Sequence, residues 1–125
     1  VVLITGAANG LGRQIAVKFA TTGCRLVLWD IDEMGNKETK RMCEDLGAEA
    51  HIYRVDMSDR QSIYNLASTV ISEVGIVDIL VNNAGILCDG GDFLDKSDEF
   101  IEKTIRVNMM AHIWVGADFI FRVVR

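Results

Sequence analysis

The sequence predicts an α/β protein built on a doubly wound parallel sheet, and three features lead to this fold class. Apolar runs alternate four times with helix-like stretches, and the connections between them are short. The first apolar run, residues 1–4, leads directly into a glycine-rich segment that opens a helix. Small or polar residues follow each apolar run. Such an alternation is typical of parallel strands with helices on both faces, whose carboxyl ends share one edge of the sheet.

Each element has local support. The apolar runs predict strands over residues 1–4, 25–30, 50–55 and 77–81. Amphipathic stretches predict helices over residues 11–22, 33–46 and 58–73, and a longer helix that begins near Ser97 or Asp98. Ser58 with Gln61 three residues later predicts a capping box at the start of the third helix. Gly85, Gly90 and Gly91 predict a loop before the last helix.

The segment after the first strand, Thr5-Gly6-Ala7-Ala8-Asn9-Gly10-Leu11-Gly12, has the spacing GxxxGxG. It lacks the lysine of a nucleoside-triphosphate loop. We expect Gly6 to allow the sharp turn, Gly10 to let a pyrophosphate approach the backbone, and Gly12 to allow close contact between helix and strand. Asp30 stands eighteen residues after Gly12, at the end of the second strand, where a carboxylate accepts hydrogen bonds from a ribose. The pattern predicts a dinucleotide site, although Asp30 also suits a helix N-cap.

The other strand ends carry polar groups with two interpretations each. Asp56 is placed either to accept from an adenine amino group or to form a turn. The pair Asn82-Asn83, followed by Ala84 and Gly85, either lets a ligand approach the backbone or is simple turn chemistry. A methyltransferase remains an alternative, since its nucleoside also binds at a glycine-rich first loop with an acid at the end of the second strand.

Asp30 favours NAD over NADP, because an ionised carboxylate accepts both ribose hydroxyls and repels a 2′-phosphate. Arg13 is the residue that could weaken this preference, since a guanidinium at the start of the first helix could reach a phosphate. A solvated helix position is the other interpretation of Arg13.

Composition restricts the partners. The 125 residues carry a net charge of −5 without a basic stripe, which argues against nucleic acid. Cys24, Cys43 and Cys88 show no metal-ligand spacing and no disulfide pattern, and no metal is expected. His51 and His112 stand alone and read as core or surface residues. No apolar run approaches the length of a membrane span. Both ends look cut, and we expect one incomplete domain over residues 1–125.

Taken in order, the glycine segment, Asp30, Asp56 and residues 82–85 resemble the motif set of the short-chain dehydrogenases/reductases along the whole chain. Segments 26–31, 101–104 and 107–114 are similar to the retinol and 17-beta-hydroxysteroid dehydrogenase subgroup. The resemblance implies a Rossmann-type fold and a catalytic role for Asn108, which holds a water in a proton relay; an amide satisfied in a helix interface is its other interpretation. It implies the following cofactor-binding set: Gly6, Asn9, Gly10, Leu11, Gly12, Asp30, Asp56, Met57, Asn83, Ala84 and Gly85.

The same resemblance implies the sheet order 3-2-1-4. It also implies hydride transfer between a nicotinamide cofactor, expected to be NAD rather than NADP, and a lipophilic alcohol or ketone. The family's serine and Tyr-x-x-x-Lys pair would lie beyond residue 125, and neither Tyr53 nor Tyr64 has a lysine four residues on. We therefore expect the fragment alone to be inactive, with a non-catalytic binding or subunit-pairing product as the alternative. The long helix, with Trp114, Phe119 and Phe121, is expected to pack or to form an oligomer interface.

Location and stability complete these expectations. The residues themselves suggest a cytoplasmic protein, while the subgroup implies an endoplasmic reticulum or lipid-droplet anchor outside this sequence. The fourth strand is expected to leave an unpaired edge beside Val77, Ile79 and Val81, and hence to cause aggregation or dependence on a partner.

Overall fold

The computed structural model describes residues 1–87 and 92–123, without the side chains of Phe93 and of residues 120–123. Within these residues, four strands and three α-helices alternate in the predicted order, and two further helices stand where one long helix was predicted. The strands are β1 (Val2–Thr5), β2 (Leu26–Asp30), β3 (Ala50–Arg54) and β4 (Ile79–Val81). The helices are α1 (Gly10–Ala20), α2 (Glu33–Glu44), α3 (Arg60–Glu73), α4 (Asp98–Ile105) and α5 (Ala111–Val123). Of the predicted loop glycines, Gly90 and Gly91 lie outside the described residues, as does Cys88.

The sheet has the order β3-β2-β1-β4, which confirms the predicted topology. Every strand pair is parallel. The register sets Thr5 of β1 beside Trp29 of β2, so the segments that follow these two strands leave the sheet at the same edge. The glycine-rich turn after β1 and Asp30 at the end of β2 are thereby neighbours, although 18 residues separate Asp30 from the last of the turn's glycines.

Both faces of the sheet are covered. Leu3, Val27 and Trp29 contribute to a core with residues of α3 and α5. Ile4 and Leu28 point into a second core that includes residues of α1 and α2. Two covered faces explain why the strands are continuous apolar runs rather than alternating ones.

The start of α3 differs from the prediction. The N-cap is Asp59, whose carboxylate accepts from the N–H groups of Gln61 (2.9 Å) and Ser62 (3.3 Å), so the Ser58–Gln61 capping box is wrong. Ser58 instead donates its hydroxyl hydrogen to Asp56 Oδ1 at 2.7 Å. A nearby carboxylate, the stronger acceptor, takes the cap position and leaves the serine to the preceding turn.

The predicted long helix is interrupted. It begins after the Ser97 cap, as expected, but α4 and α5 are joined by a π-helical turn, Arg106–Met110, in the middle of which lies Asn108. A π turn widens the helix locally and is frequent at functional sites.

The apolar face of α5 is packed in the described part of the chain. Phe119 is 5% exposed, and its ring lies 6.0 Å from that of Trp29. Trp114 is partly buried against the same core. The side chain of Phe121 lies outside the described residues. The oligomer interface expected here stays a prediction.

Within the described residues, β4 pairs only with β1, and Ile79 is 45% exposed. The aggregation expected from this edge stays a prediction. No described helix is long and apolar enough to cross a membrane.

Candidate functional site

The turn between β1 and α1 has the geometry that its glycines were expected to supply. Gly6 adopts a positive φ of 68°, and Gly10 one of 50°. A Cβ atom at Gly12 would lie 2.1 Å from the Gly6 carbonyl oxygen, so α1 packs directly on the turn. A Cβ at Gly10 would meet no atom within 4 Å, so the backbone there faces open space.

The first turn of α1 is not served by a protein anion. Asn9 is the N-cap residue, but its side chain makes no cap hydrogen bond, and the turn contains no acidic residue. The first amides of a helix lack intrahelical partners and carry the positive end of its dipole. Together with the open space at Gly10, this arrangement suits a phosphate group.

Thr5 and Asn83 fix the end of β4 against the glycine turn. The Thr5 hydroxyl oxygen accepts from the N–H groups of Asn83 and Ala84, each at 3.0 Å. Asn83 Nδ2 donates to the carbonyl oxygens of Thr5 (2.9 Å) and Gly6 (3.1 Å). Sequence reasoning missed the role of Thr5; a hydroxyl at the end of an otherwise apolar strand is the signal that could have found it.

Asp30 faces the same turn. Its Oδ2 accepts from the Ala8 N–H at 2.8 Å and its Oδ1 from the Asp32 N–H at 2.9 Å. The N-cap of α2 is Asp32, which accepts from the Gly35 N–H at 3.0 Å, so the interpretation of Asp30 as the cap is wrong. The carboxylate of Asp30 is thus oriented by backbone amides while it stays partly exposed.

Arg13 fits neither interpretation offered for it. Its guanidinium turns into the junction between α1 and α2, where Nε donates to Thr39 Oγ1 at 3.0 Å and Nη2 to the carbonyl oxygens of Ala8 and Gly35. The residue is partly buried rather than solvated, and its Nε and Nη2 groups donate to the protein. The expectation that it could reach a phosphate finds no support in this geometry.

Asp56 forms a turn and also lies at the site. Its Oδ1 accepts from the Ser58 N–H (2.8 Å) and hydroxyl (2.7 Å). Burial raises the pKa of this carboxyl, but the Ser58 hydrogen bonds and the positive charge of Lys103 outweigh burial and hold the pKa below its usual value. The group is therefore an anion at neutral pH.

Asn108 bridges the helix to the loop after β4. Its Oδ1 accepts from the Ile86 N–H and its Nδ2 donates to the Ile86 carbonyl oxygen, both at 2.8 Å. Both the oxygen and the nitrogen of the amide are thus bonded to backbone, but to a loop residue and not inside the helix interface that the second interpretation of Asn108 expects. A water at this site would have to bond to an atom or lone pair that these two hydrogen bonds leave free. The catalytic role of Asn108 stays a prediction.

A cleft of about 580 Å³ brings most of the predicted residues together at the carboxyl edge of the sheet. Nine of the predicted set line it: Gly6, Asn9, Leu11, Asp30, Asp56, Met57, Asn83, Ala84 and Gly85. Gly10 and Gly12 shape the turn without lining the cleft. Six lining residues were not predicted: Ile31, Val55, Ile86, Leu87, Lys103 and Val107. Ile31 and Val55 stand next to predicted acidic residues, and Ile86 follows the predicted Gly85. Lys103 and Val107 come from α4 and the π turn, and no local pattern identifies them as lining residues.

The histidines lie elsewhere. His51 Nε2 is hydrogen-bonded to the exposed Glu49 at 2.8 Å. Burial lowers the pKa of His112. Among the residues that the structure describes, no group of three His, Cys, Asp or Glu could hold a metal ion.

The parallel sheet, the glycine turn that opens α1 and the cleft at the strand ends define a Rossmann-type nucleotide-binding fold. The family model of the short chain dehydrogenases matches residues 1–122, and the chain belongs to that family. Membership decides against the methyltransferase alternative.

Relatives support the subgroup. Human epidermal retinol dehydrogenase 2 is 49% identical over 121 residues, which cover 96% of this chain and 39% of the relative. Mouse estradiol 17-beta-dehydrogenase 11 is 48% identical, with 96% and 40% covered. The chain thus spans about two fifths of the length of these relatives. A metagenomic short-chain oxidoreductase in complex with NADP superimposes with a TM-score of 0.93 at 31% identity, covering 98% of this chain and 56% of that one.

Proposed function

We propose that the protein carrying this chain is an NAD-dependent short-chain dehydrogenase/reductase, of which residues 1–125 form the cofactor-binding part. One observation carries the proposal. The glycine turn, the carboxylate of Asp30 and the carboxylate of Asp56 lie around a single cleft at the end of the sheet. These are the groups that the pyrophosphate, ribose and adenine of a dinucleotide require.

Each part of the cofactor has a candidate partner. The turn from Gly6 to Gly12 would hold the pyrophosphate, Asp30 the adenosine ribose and Asp56 the adenine amino group, with Met57 beside it. Ala84 and Gly85 would let the cofactor pass close to the backbone after β4. When bound, the nicotinamide supplies a hydride acceptor or donor, and this chain's residues supply its position.

NAD rather than NADP follows from charge. The negative Asp30 would repel a 2′-phosphate. Arg13, which lies beside the glycine turn, already donates to three protein acceptors. The metagenomic neighbour is in complex with NADP. The choice therefore depends on Asp30 and not on the fold.

The relatives' names favour a lipophilic alcohol or ketone as the substrate, of retinoid or steroid type. Reduction of a ketone or oxidation of a carbinol needs a proton donor or acceptor as well as the cofactor. Asn108, which joins the π turn to the loop after β4, is proposed to support that proton transfer. The family's tyrosine and lysine would have to come from outside this chain.

Two further parts of the proposal concern the chain by itself. Residues 1–125 alone are expected to lack turnover, since neither tyrosine has a lysine at the family spacing. A subunit-pairing or NAD-binding product without catalysis is the second candidate, favoured by the exposed edge of β4.

Oligomerisation through α5 belongs to the same proposal, and light scattering tests it. An endoplasmic reticulum or lipid-droplet location is also proposed, and cell fractionation tests it.

The test is cofactor binding to the protein as its gene encodes it, measured by calorimetry with NADH and NADPH. We expect NADH to bind more tightly, and Asp30→Asn to reduce NADH affinity about tenfold and to narrow the preference, because charge-assisted hydrogen bonds to the ribose are lost. Glu33→Gln is the matched control, since this exposed carboxylate pairs with Lys37 at 2.6 Å and does not line the cleft. Absence of binding to either dinucleotide would refute the proposal; an unchanged preference in Asp30→Asn would refute the assignment of NAD.

A further inference from the structure

At the junction between α1 and α2, the backbone of Ala8 is hydrogen-bonded through both its N–H and its carbonyl group. The Ala8 N–H donates to Asp30 Oδ2 at 2.8 Å, and the Ala8 carbonyl oxygen accepts from Arg13 Nη2. Thr39 Oγ1 lies 3.4 Å from the same carbonyl and donates to the carbonyl oxygen of Ala7 at 2.8 Å. Ala8 itself is fully buried. Its orientation is thus fixed by a carboxylate on one side and a guanidinium on the other.

The first turn of α2 completes the junction. The Gly35 carbonyl oxygen accepts from Arg13 Nη2 at 3.2 Å. A Cβ at Gly35 would lie 2.9 Å from the Ala8 carbonyl oxygen and 2.6 Å from Asp32 Oδ2, so α2 approaches this closely only because the residue is glycine. Arg13 therefore links the start of α1, residue 8 of the turn and the start of α2.

The two halves of the proposed cofactor site meet at Ala8. The glycine turn forms the pyrophosphate side, and Asp30 forms the ribose side. They are joined by the bond from the Ala8 N–H to the Asp30 carboxylate. That N–H shares its peptide plane with the Ala7 carbonyl, which accepts from Thr39 Oγ1 at 2.8 Å. Thr39 Oγ1 in turn accepts from Arg13 Nε at 3.0 Å, so Arg13 holds the peptides on both sides of Ala8, one through Thr39 and one directly.

We propose that Arg13 is a positioning residue that sets NAD selectivity without touching the cofactor, by holding the Ala7 carbonyl through Thr39 and the Ala8 carbonyl directly, so that the Ala8 N–H orients Asp30. The inference rests on the proposed function. If Arg13 is removed, the buried Ala8 carbonyl and the Thr39 hydroxyl lose their charged donors, and the peptides on both sides of Ala8 reorient. Asp30 then loses a fixed partner and turns toward solvent, so the ribose hydroxyls are recognised less well.

Simple electrostatics makes the opposite prediction. Removing a positive charge beside Asp30 makes the site more negative, which would disfavour a 2′-phosphate further and widen the preference for NADH. If Arg13 bound the 2′-phosphate directly, removing Arg13 would lower the affinity for NADPH alone. If Arg13 instead positions Asp30, removing Arg13 lowers the affinity for NADH more than the affinity for NADPH. The ratio of the two affinities therefore separates these three roles.

The experiment compares Arg13→Met and Arg13→Lys with the unchanged protein as its gene encodes it. Dissociation constants for NADH and NADPH are measured by calorimetry, and thermal melting is recorded in parallel. Lys18→Met is the matched control, an exposed cation in the last turn of the same helix. We expect Arg13→Met to weaken NADH about tenfold and NADPH much less. Arg13→Lys, which keeps one charged donor, restores part of the selectivity.

Equal weakening of both dinucleotides would show a purely structural role and overturn the inference, as would an unchanged or wider preference for NADH. Should Arg13→Met fail to fold, Arg13→Lys and Thr39→Val decide by the same ratio, since each removes only part of the junction. Absence of NADH binding by the unchanged protein would refute the proposed function, whereas normal binding with an unchanged ratio in the variants would refute the inference alone.

Discussion

The contact between α1 and the glycine turn can be tested by adding a single methyl group. Gly12 is the third residue of α1, and a Cβ there would lie 2.1 Å from the Gly6 carbonyl oxygen and 2.6 Å from Asn83 Nδ2. Both distances are far below ordinary contact, and the first of these atoms belongs to the backbone. Gly12→Ala therefore forces α1 away from β1 and weakens the hydrogen bond from Asn83 to the Gly6 carbonyl.

The magnitude follows from three contributions. Overpacking of a rigid contact costs about 1–3 kcal/mol. Loss of the Asn83 hydrogen bond adds about 1 kcal/mol. Alanine gains about 1 kcal/mol over glycine in a helix. The net expectation is a loss of about 2 kcal/mol in the free energy of unfolding, or a melting temperature lower by roughly 8 °C in a domain of this size.

Gly116 provides the matched control. It lies within α5, and a Cβ there would meet no atom within 4 Å. Gly116→Ala is expected to raise the free energy of unfolding by about 0.5–1 kcal/mol from helix propensity alone. Thermal and urea unfolding measure both variants, and NADH titration measures the cleft. If Gly12→Ala were as stable as Gly116→Ala, the close packing of α1 on the turn would be refuted.

Three other predictions concern positions away from the glycine turn. Asp59→Ala should lower the free energy of unfolding by about 1 kcal/mol and Ser58→Ala by less, because Asp59 caps α3; the reverse order in urea unfolding would restore the rejected capping box. Burial lowers the pKa of His112 in the folded protein, so the unfolded chain binds this proton first as pH falls. The contribution of His112 to the free energy of unfolding is therefore complete above about pH 6.5 and is lost as pH falls through the pKa of the folded state. His112→Gln should reduce this loss between pH 7.5 and 5.5, and identical pH profiles would contradict it. Burial raises the pKa of the Cys43 thiol to about 11, so at pH 8 a thiol reagent should label Cys43 only on unfolding. Mass spectrometry measures the labelling of each cysteine. If Cys43 in the folded protein were labelled as fast as the half-buried Cys24, the protection of Cys43 by burial would be contradicted.

Much of the fold was predictable because its signals are local. A continuous apolar strand indicates two covered faces, and polar residues at strand ends mark the edge where the cleft forms. The four strands, the turn at Gly6 and the position of Asp30 all follow from such signals, whereas the sheet order was predicted from the family resemblance. Each depends on a few neighbouring residues and a backbone rule, so no knowledge of distant contacts is needed.

The misses have other causes. Ser58 and Asp59 stand side by side and both suit an N-cap, and the stronger acceptor, the carboxylate of Asp59, takes the position. The inward turn of Arg13 depends on α2, which lies more than twenty residues away in sequence. The π turn at Asn108 cannot be inferred from helix periodicity, since it is one extra residue within a regular pattern.

Several polar residues at this site bind backbone rather than point freely into the cleft. Thr5 and Asn83 hold the end of β4, Arg13 holds the turn, and both amide atoms of Asn108 bond to Ile86. A short motif reports that such a residue matters without reporting whether it touches a ligand. Substitution at these positions should therefore change cofactor affinity by moving the turn or the loop, with a loss of stability that accompanies it. Asp30 differs, because its carboxylate lines the cleft and keeps acceptor capacity beyond the two amides that hold it. A change there should alter which cofactor is preferred more than it alters folding, and this difference separates the residues that build the cleft from those that recognise what enters it.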